Sequence, residues 1–376
     1  MSIRRQWQSF DFLLVLMIIG FAIFGVLMVG AASSYSTKES VIRAYGSQKL
    51  FFASGLVILA VVTAVDYHFI ARFYWLIYGV MIALLIAVLI LGEDDPTGTA
   101  RWFRFSNFTI QPSEFSKIFI IIFLAKFIDK LRDSINNIGV LAVLAALVVV
   151  PVVLIMRQPS LSASLVIVFI SVCVIFSSNL KPRYILIALS VVIPILCLFI
   201  WDLNNEDRVF IDEVLGHYQV DRIETFLNPE RNSDEFYQTS ASLTSIGSGM
   251  LEGKGYRQGS NIPAGVNDFI FSVVGEQFGF VGCAGVLIVF FIIISKCIII
   301  ANRSPDTLGR LMAMGVAGKL AFEAFVNVGV ATDIMPNTGM PFPFLSSGGS
   351  SMWVNMACIG LVLNIGLFKA KSIFKG

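Results

Sequence analysis

The chain has 376 residues, 56% of them hydrophobic and only 14% charged, with a formal net charge of +2. A soluble domain carries roughly 25% charged residues to cover its surface, so this composition excludes a soluble globular protein. The small net charge is spread among loops and builds no nucleic-acid-binding face.

Crossing ~30 Å of hydrocarbon takes about 20 apolar helical residues. Ten segments qualify, at approximately 11–31, 50–66, 73–92, 113–128, 139–156, 161–178, 183–201, 268–295, 308–333 and 349–368. The expected architecture is an all-α integral membrane protein, one membrane domain over 1–376. No small-residue cleavage site follows a short apolar core in the first segment, so it reads as a span and not a removable signal. Orientation follows from Lys and Arg in the short loops. With the N-terminus in the cytoplasm, that side holds Arg4, Arg5, Arg72, Lys126, Lys130, Arg132, Lys181, Arg183, Lys296, Arg303, Arg310, Lys369, Lys371 and Lys375. The short outer loops hold Lys38, Arg43, Lys49, Arg101, Arg104 and Arg157. Fourteen against six places both termini in the cytoplasm.

The first polar cluster is GTARWFRFSNFTIQPSEFSK, residues 98–117. Spacing i, i+3 puts Glu114 and Lys117 on one helical face, within reach of a salt bridge. Arg101 and Arg104 precede them, with Trp102, Phe103 and Phe105 as aromatic anchors at the interface. Two readings stand side by side: a structural ion pair, or the wall of a cationic cavity that receives an anionic head group. RQPSLSASL (157–165) is a second proline turn entering a helix, with Arg157 and several serines.

Residues 202–267 form a long extracytoplasmic loop between the seventh and eighth spans. Val220, Ile223, Phe226 and Leu227 recur at helical spacing, which predicts a helix lying in the interface. The stretch SIGSGMLEGKGYRQGS (245–260) carries glycines at 247, 249, 253, 255 and 259, a backbone made for tight turns or close approach. In IPAGVNDFIFSVVGEQFGFVG (262–282), Asp268 stands where the loop becomes a helix, with Glu276 two turns deeper. Asp is a preferred helix N-cap; a carboxylate at the outer membrane boundary is also how a general base meets a lipid-linked substrate.

Lys319, Glu323 and Asn327 form a polar stripe along the ninth span, either a buried pair or a cavity wall. In DIMPNTGMPFPFLSSGGSS (333–351), Pro336, Pro341 and Pro343 with Gly339, Gly348 and Gly349 forbid a continuous helix. Such backbone is tolerated near membrane depth only where protein or a watery cavity surrounds it. Ser346, Ser347, Ser350 and Ser351 add hydroxyls, and the free amides of the following helix start suit an anion. The five cysteines lie in the apolar segments and the two histidines, His68 and His217, stand apart, so no metal-ligand spacing is present.

RWFRFSNFTIQPSEFSK, FLNPE, SIGSGMLEGKG, NDFIFSVVGEQFGFVG and TGMPFPFLSSGGSS, in this order among ten spans, resemble the SEDS proteins over essentially the whole chain. These are the shape, elongation, division and sporulation polymerases of bacterial cell walls, of RodA, FtsW and SpoVE type. The resemblance implies a peptidoglycan glycosyltransferase that polymerises lipid II at the outer face of the cytoplasmic (inner) membrane. It makes Asp268 the catalytic residue and Arg101, Gln111, Glu114 and Lys117 substrate-binding residues, with Ser346 and Ser350 beside them. Glu276, Lys319 and Arg157 are support candidates. It also implies a class B penicillin-binding protein as partner, and a divalent cation (Mg or Mn) that could share the pyrophosphate chemistry. A lipid II flippase and a non-catalytic scaffold for a transpeptidase are the competing functions. The sequence departs from the family pattern at PAGVNDF, where PEAHTDF is usual, at QPSLSAS, where QPDLGTA is usual, and at Ser347, where Tyr is common.

Overall fold

The computed structural model describes residues 10–36, 39–94, 100–104, 109–184, 217–227 and 233–372, with scattered positions between 186 and 202. Its helices are α1 (Phe12–Ser33), α2 (Glu39–Ala64), α3 (Tyr67–Arg72), α4 (Tyr74–Leu91), α5 (Pro112–Lys130), α6 (Ile138–Met156), α7 (Leu161–Phe176), α8 (His217–Leu227), α9 (Ser233–Ser248), α10 (Ile270–Asn302), α11 (Thr307–Ala331) and α12 (Gly349–Ser372). Several begin where the sequence supplies a side chain for unpaired first-turn amides. Asp11 accepts from Leu14 at 3.0 Å, Asn137 from Gly139 at 2.8 Å and Asp306 from Gly309 at 2.7 Å. Pro112 opens α5 at a position where its missing N–H costs nothing.

Seven of the described helices are long and apolar enough to cross a membrane: α1, α2, α4, α6, α10, α11 and α12. The protein is a multi-pass membrane protein. α5 and α7 occupy two further expected spans. α7 has 16 residues, about 24 Å at 1.5 Å per residue. α5 carries Glu114 and Lys117 near its start and Lys126, Asp129 and Lys130 near its end. The seventh expected span, 183–201, lies largely outside the described residues, as do 203–216 and 228–232 of the outer loop. The interfacial helix expected there is present as α8, and α9 follows it.

α11 is the hub, packing on α5, α7, α10 and α12. It therefore carries Lys319, Glu323 and Asn327 inward, all essentially buried. The connection from α4 to α5 holds a small antiparallel sheet, β1 (Glu93–Asp94), β2 (Ala100–Arg104) and β3 (Thr109–Ile110), paired in the order β1-β2-β3. Phe103 faces Ile110 and Arg104 faces Thr109 across the second pair. Trp102 and Phe103, expected as aromatic anchors at the interface, sit on β2, while Phe105 lies outside the described residues.

α10 is broken at Gly279, whose φ of 62° and ψ of −159° no helix contains. The glycine loop before it fills the break. Lys254 and Gly255 donate to the carbonyls of Glu276 and Gln277, each at 3.0 Å. Phe280 and Val281 donate to the carbonyls of Met250 and Leu251 at 2.9 and 3.1 Å. The backbone groups that a break exposes in an apolar surrounding are thus paired within the protein.

Candidate active site

Four helix starts converge on one cavity of about 310 Å³. Gln111 and Glu114 come from the head of α5, Ser160 to Ala163 from α7, Asp268 from the turn before α10, and Gly348 to Ser351 from α12. Each helix start presents unpaired amides and the positive end of a peptide dipole, so together they favour an anion. Arg101 on β2 and Arg222 on α8 add two full positive charges to the wall. Residues 336–341 close it.

Asp268 is held by its backbone. Asn267 and Phe269 both donate to the Ala264 carbonyl, at 2.9 and 3.3 Å, which winds residues 264–269 into a compact turn. Asn327 Nδ2 donates to the Asp268 carbonyl at 2.8 Å and to the Met340 carbonyl at 2.7 Å, tying α11 to both site loops. Ser346 Oγ donates to the Asn267 carbonyl at 2.6 Å, and the Ser347 amide donates to the Val266 carbonyl at 2.8 Å. The cap position of α10 belongs to Phe269, and no side chain caps it. The capping role open to Asp268 is therefore not the one it takes. The residue is half-buried, and burial pushes its carboxyl above the usual range, opposed by the charge of Arg222.

The Pro- and Gly-rich segment before α12 is clamped by Gln48 on α2, whose amide donates to the Ser346 carbonyl and accepts from the Gly348 N–H, both at 3.1 Å. Ser346 also accepts from the Phe342 amide at 2.8 Å. With its hydroxyl committed on both sides and absent from the cavity lining, Ser346 is a brace. Expected among the substrate contacts, Ser346 sits behind the cavity lining. Ser350 does line the cavity, accepting from the Gln111 amide at 3.0 Å and so joining α12 to the start of α5.

Glu114 and Lys117 are paired, as their spacing predicts, and the two readings of the pair meet here: both residues line the cavity and both belong to a buried ionic network. Lys117 also binds Glu323 Oε1 at 2.7 Å, and Glu323 Oε2 binds Lys319 at 2.6 Å. Lys319 also donates a hydrogen bond to Asn355 Oδ1, and Asn355 in turn donates to Ser351 at 3.3 Å. Two carboxylates and two ammonium groups sum to zero charge, with Lys117 and Glu323 each 1% exposed. Net neutrality is what permits the burial. Glu114 Oε2 is the exception: it is buried with no hydrogen-bond partner in a residue that lines the cavity. Lys117, held by two carboxylates, is a weak candidate for direct anion binding.

Of the support candidates, Lys319 belongs to this network. Glu276 faces away from the cavity, binding Lys254 at 2.7 Å and the Ser260 amide at 3.0 Å, and so fastens the glycine loop to α10. Arg157 ends α6 and is off the cavity lining. Both lie off the cavity lining. Arg222, Asn337 and Thr338 line the cavity without having been singled out from sequence. Arg222 is a lone cation on an amphipathic helix, a pattern ordinarily read as solvent-facing. Among the described residues no three His, Cys, Asp or Glu side chains gather to hold a metal ion.

Fold and site together define a multi-pass membrane protein with an anion-attracting chamber, a carboxylate turn at its edge and a neutralised ionic lattice behind it. The chain belongs to the family described as "Cell cycle protein", which groups FtsW, RodA and SpoVE and matches residues 11–371. It is 33% identical over 368 residues to a Trichlorobacter lovleyi protein named "Probable peptidoglycan glycosyltransferase FtsW", covering 95% of this chain and 93% of that one. It is 34% identical over 326 residues to the Escherichia coli K12 "Peptidoglycan glycosyltransferase MrdB", covering 83% of each. A solved structure titled "Structural coordination of polymerization and crosslinking by a peptidoglycan synthase complex" superposes with a TM-score of 0.79 at 26% identity, covering 98% of this chain and 99% of that one.

Proposed function

We propose that this protein is a peptidoglycan glycosyltransferase that joins lipid II units into glycan strands at the outer face of the cytoplasmic membrane, with Asp268 as general base. The observation that carries the reading is the state of Asp268: its carboxylate is not used to cap α10 and borders a chamber built for an anion. The names of the FtsW and MrdB relatives support the same reaction class.

The chemistry divides among the residues in hand. A hydroxyl of the acceptor sugar attacks the anomeric carbon of the donor, and Asp268 takes its proton as the new glycosidic bond forms. The bond from that carbon to the pyrophosphate breaks, and the leaving group departs with the electron pair. Arg101 and the converging helix starts offset the charge that grows there. Glu114 Oε2 is placed to accept from a neutral sugar hydroxyl or acetamido N–H, which satisfies its buried lone pairs. Among the described residues the side chains do not by themselves form a metal cage. A divalent cation would enter with the pyrophosphate and supply further charge neutralisation there.

A partner that cross-links the strands, of class B penicillin-binding type, is part of the same proposal. Its support is the synthase-complex structure, whose title couples polymerisation to cross-linking. The test is strand formation from purified lipid II, with wild type and Asp268→Asn side by side, partner and Mg supplied. Strands from wild type alone sustain the reading. If neither protein makes strands while lipid II still crosses vesicle membranes, a flippase replaces it; neither activity leaves a scaffold.

A further inference from the structure

α8 is held to the bundle by two kinds of contact. Val220 and Ile223 pack with Met156 and Leu161 in a small apolar cluster separate from the main core. Between them Arg222 turns into the chamber, and its Nη1 donates to the Asn337 carbonyl at 2.9 Å. Gly339 makes room for it. This residue has a φ of +69°, and a Cβ there would lie 3.2 Å from Arg222 Nη1 and 3.6 Å from Asp268 Oδ2. Guanidinium and carboxylate thus flank the same glycine.

Other charged groups face the chamber, but they are engaged differently. Arg101 arrives from β2 and Glu114 and Lys117 from α5, the last two within the ionic lattice. α11 presents the neutral Asn327 to the Asp268 turn, and Asp333, just beyond its end, lines a smaller pocket with Arg222. The Arg222 charge is the one that opposes the effect of burial on Asp268.

We propose that Arg222 is a positioning residue for Asp268: carried on α8 and seated over Gly339, its guanidinium holds the carboxylate turned to the chamber and opposes the effect of burial on it. Docking of α8 and competence of the base are thereby coupled. The inference rests on the reading of Asp268 as the base, so its test has one arm that needs no polymerisation.

The first arm is the pH dependence of strand formation. An opposite charge beside a carboxyl favours its ionised form, so Arg222→Gln shifts the acidic limb of strand formation to higher pH, read relative to each variant's own high-pH plateau. Arg222→Lys, which keeps the charge, recovers most of the shift. The second arm labels detergent-purified protein with dicyclohexylcarbodiimide, which adds to protonated carboxyls, and reads Asp268 by mass spectrometry across pH, with Asp268→Asn as blank. The labelling midpoint rises in Arg222→Gln and returns towards wild type in Arg222→Lys. An unchanged midpoint, with activity lost equally at every pH, overturns the proposal and makes Arg222 a substrate contact. Should Arg222→Gln fail to accumulate, Gly339→Ala crowds the same guanidinium and must raise the midpoint; no rise there also overturns it. If wild type forms no strands, the glycosyltransferase reading fails while the labelling arm still decides the Arg222–Asp268 relation.

Discussion

Lys117 on α5 and Glu323 on α11 meet at 2.7 Å inside the helix bundle, and each has a second partner of opposite charge, Glu114 and Lys319. Burying one ion without its partner costs several kcal/mol, whereas a neutral set can be carried because each charge is answered locally. Glu323→Leu leaves two buried ammonium groups and one carboxylate. The expected loss is about 3–5 kcal/mol. The double substitution Lys319→Met with Glu323→Leu restores neutrality around the remaining Glu114–Lys117 pair and should unfold at a higher temperature than the single variant. Thermal unfolding in detergent measures both. A double variant no more stable than the single one would show that the four charges are not energetically linked.

Asp268→Asn keeps the shape of the turn and removes the proton acceptor. Its backbone bonds to Asn327 and to the Ala264 turn do not use the carboxylate, so the unfolding temperature stays within a degree or two of wild type while strand formation falls by about 10²–10⁴-fold. The pH dependence has a definite sign. A general base must be deprotonated, and burial raises this carboxyl above the usual value. The rate therefore falls as pH drops through that raised value and is flat above it. A rate that climbs as pH falls over the same window would require Asp268 to act as an acid.

The spans were legible because apolar length is a local property: α1, α4, α6 and α12 each fill an expected window. The polar heads of α5 and α10 were legible for the converse reason, since Glu114, Lys117 and Asp268 stand out against apolar neighbours. What joins them was not. Lys117 and Glu323 are 206 positions apart, and no periodicity reports a contact at that separation. Arg222 falls on the polar side of a helix known from sequence only by its apolar residues, and the path of residues 336–341 turns that side into a cavity wall. The break in α10 was hidden as well. Phe278, Gly279 and Phe280 read as continuous apolar helix, and the loop that completes their hydrogen bonds precedes them by more than twenty residues.

Asn327→Ala separates positioning from chemistry. Its amide ties the carbonyls of Asp268 and Met340 together from α11, and losing both bonds leaves buried carbonyls unanswered at about 1–3 kcal/mol. The Asp268 turn then loses its link to the 336–341 wall. Strand formation should drop by more than the fall in stability accounts for, and lipid II binding should be less affected than the rate. Binding measured on nanodisc-embedded protein, set against initial rates, tests this. Equal loss of binding and rate would mean that Asn327 shapes the whole chamber.

Gly279→Ala addresses the broken helix directly. The residue adopts a φ of 62°, and a Cβ there would sit 2.5 Å from both the Gly253 nitrogen and the Leu251 oxygen. Left-handed strain alone costs about 1–2 kcal/mol for a residue with a side chain, and the clash is with backbone that cannot swing aside. The glycine loop must then lift from α10, which unpairs the carbonyls of Glu276 and Gln277 and the amides of Phe280 and Val281. Glu276 would lose Lys254 and Ser260 in the same movement, since both reach it from that loop. The expected result is a marked fall in unfolding temperature and faster amide hydrogen exchange confined to residues 249–260 and 276–281. Because the Asp268 turn is separately tied to Asn327, Ser346 and Ser347, protection around 264–269 should persist. Exchange spreading equally through that turn would show that the α10 break and the active-site turn form one cooperative unit.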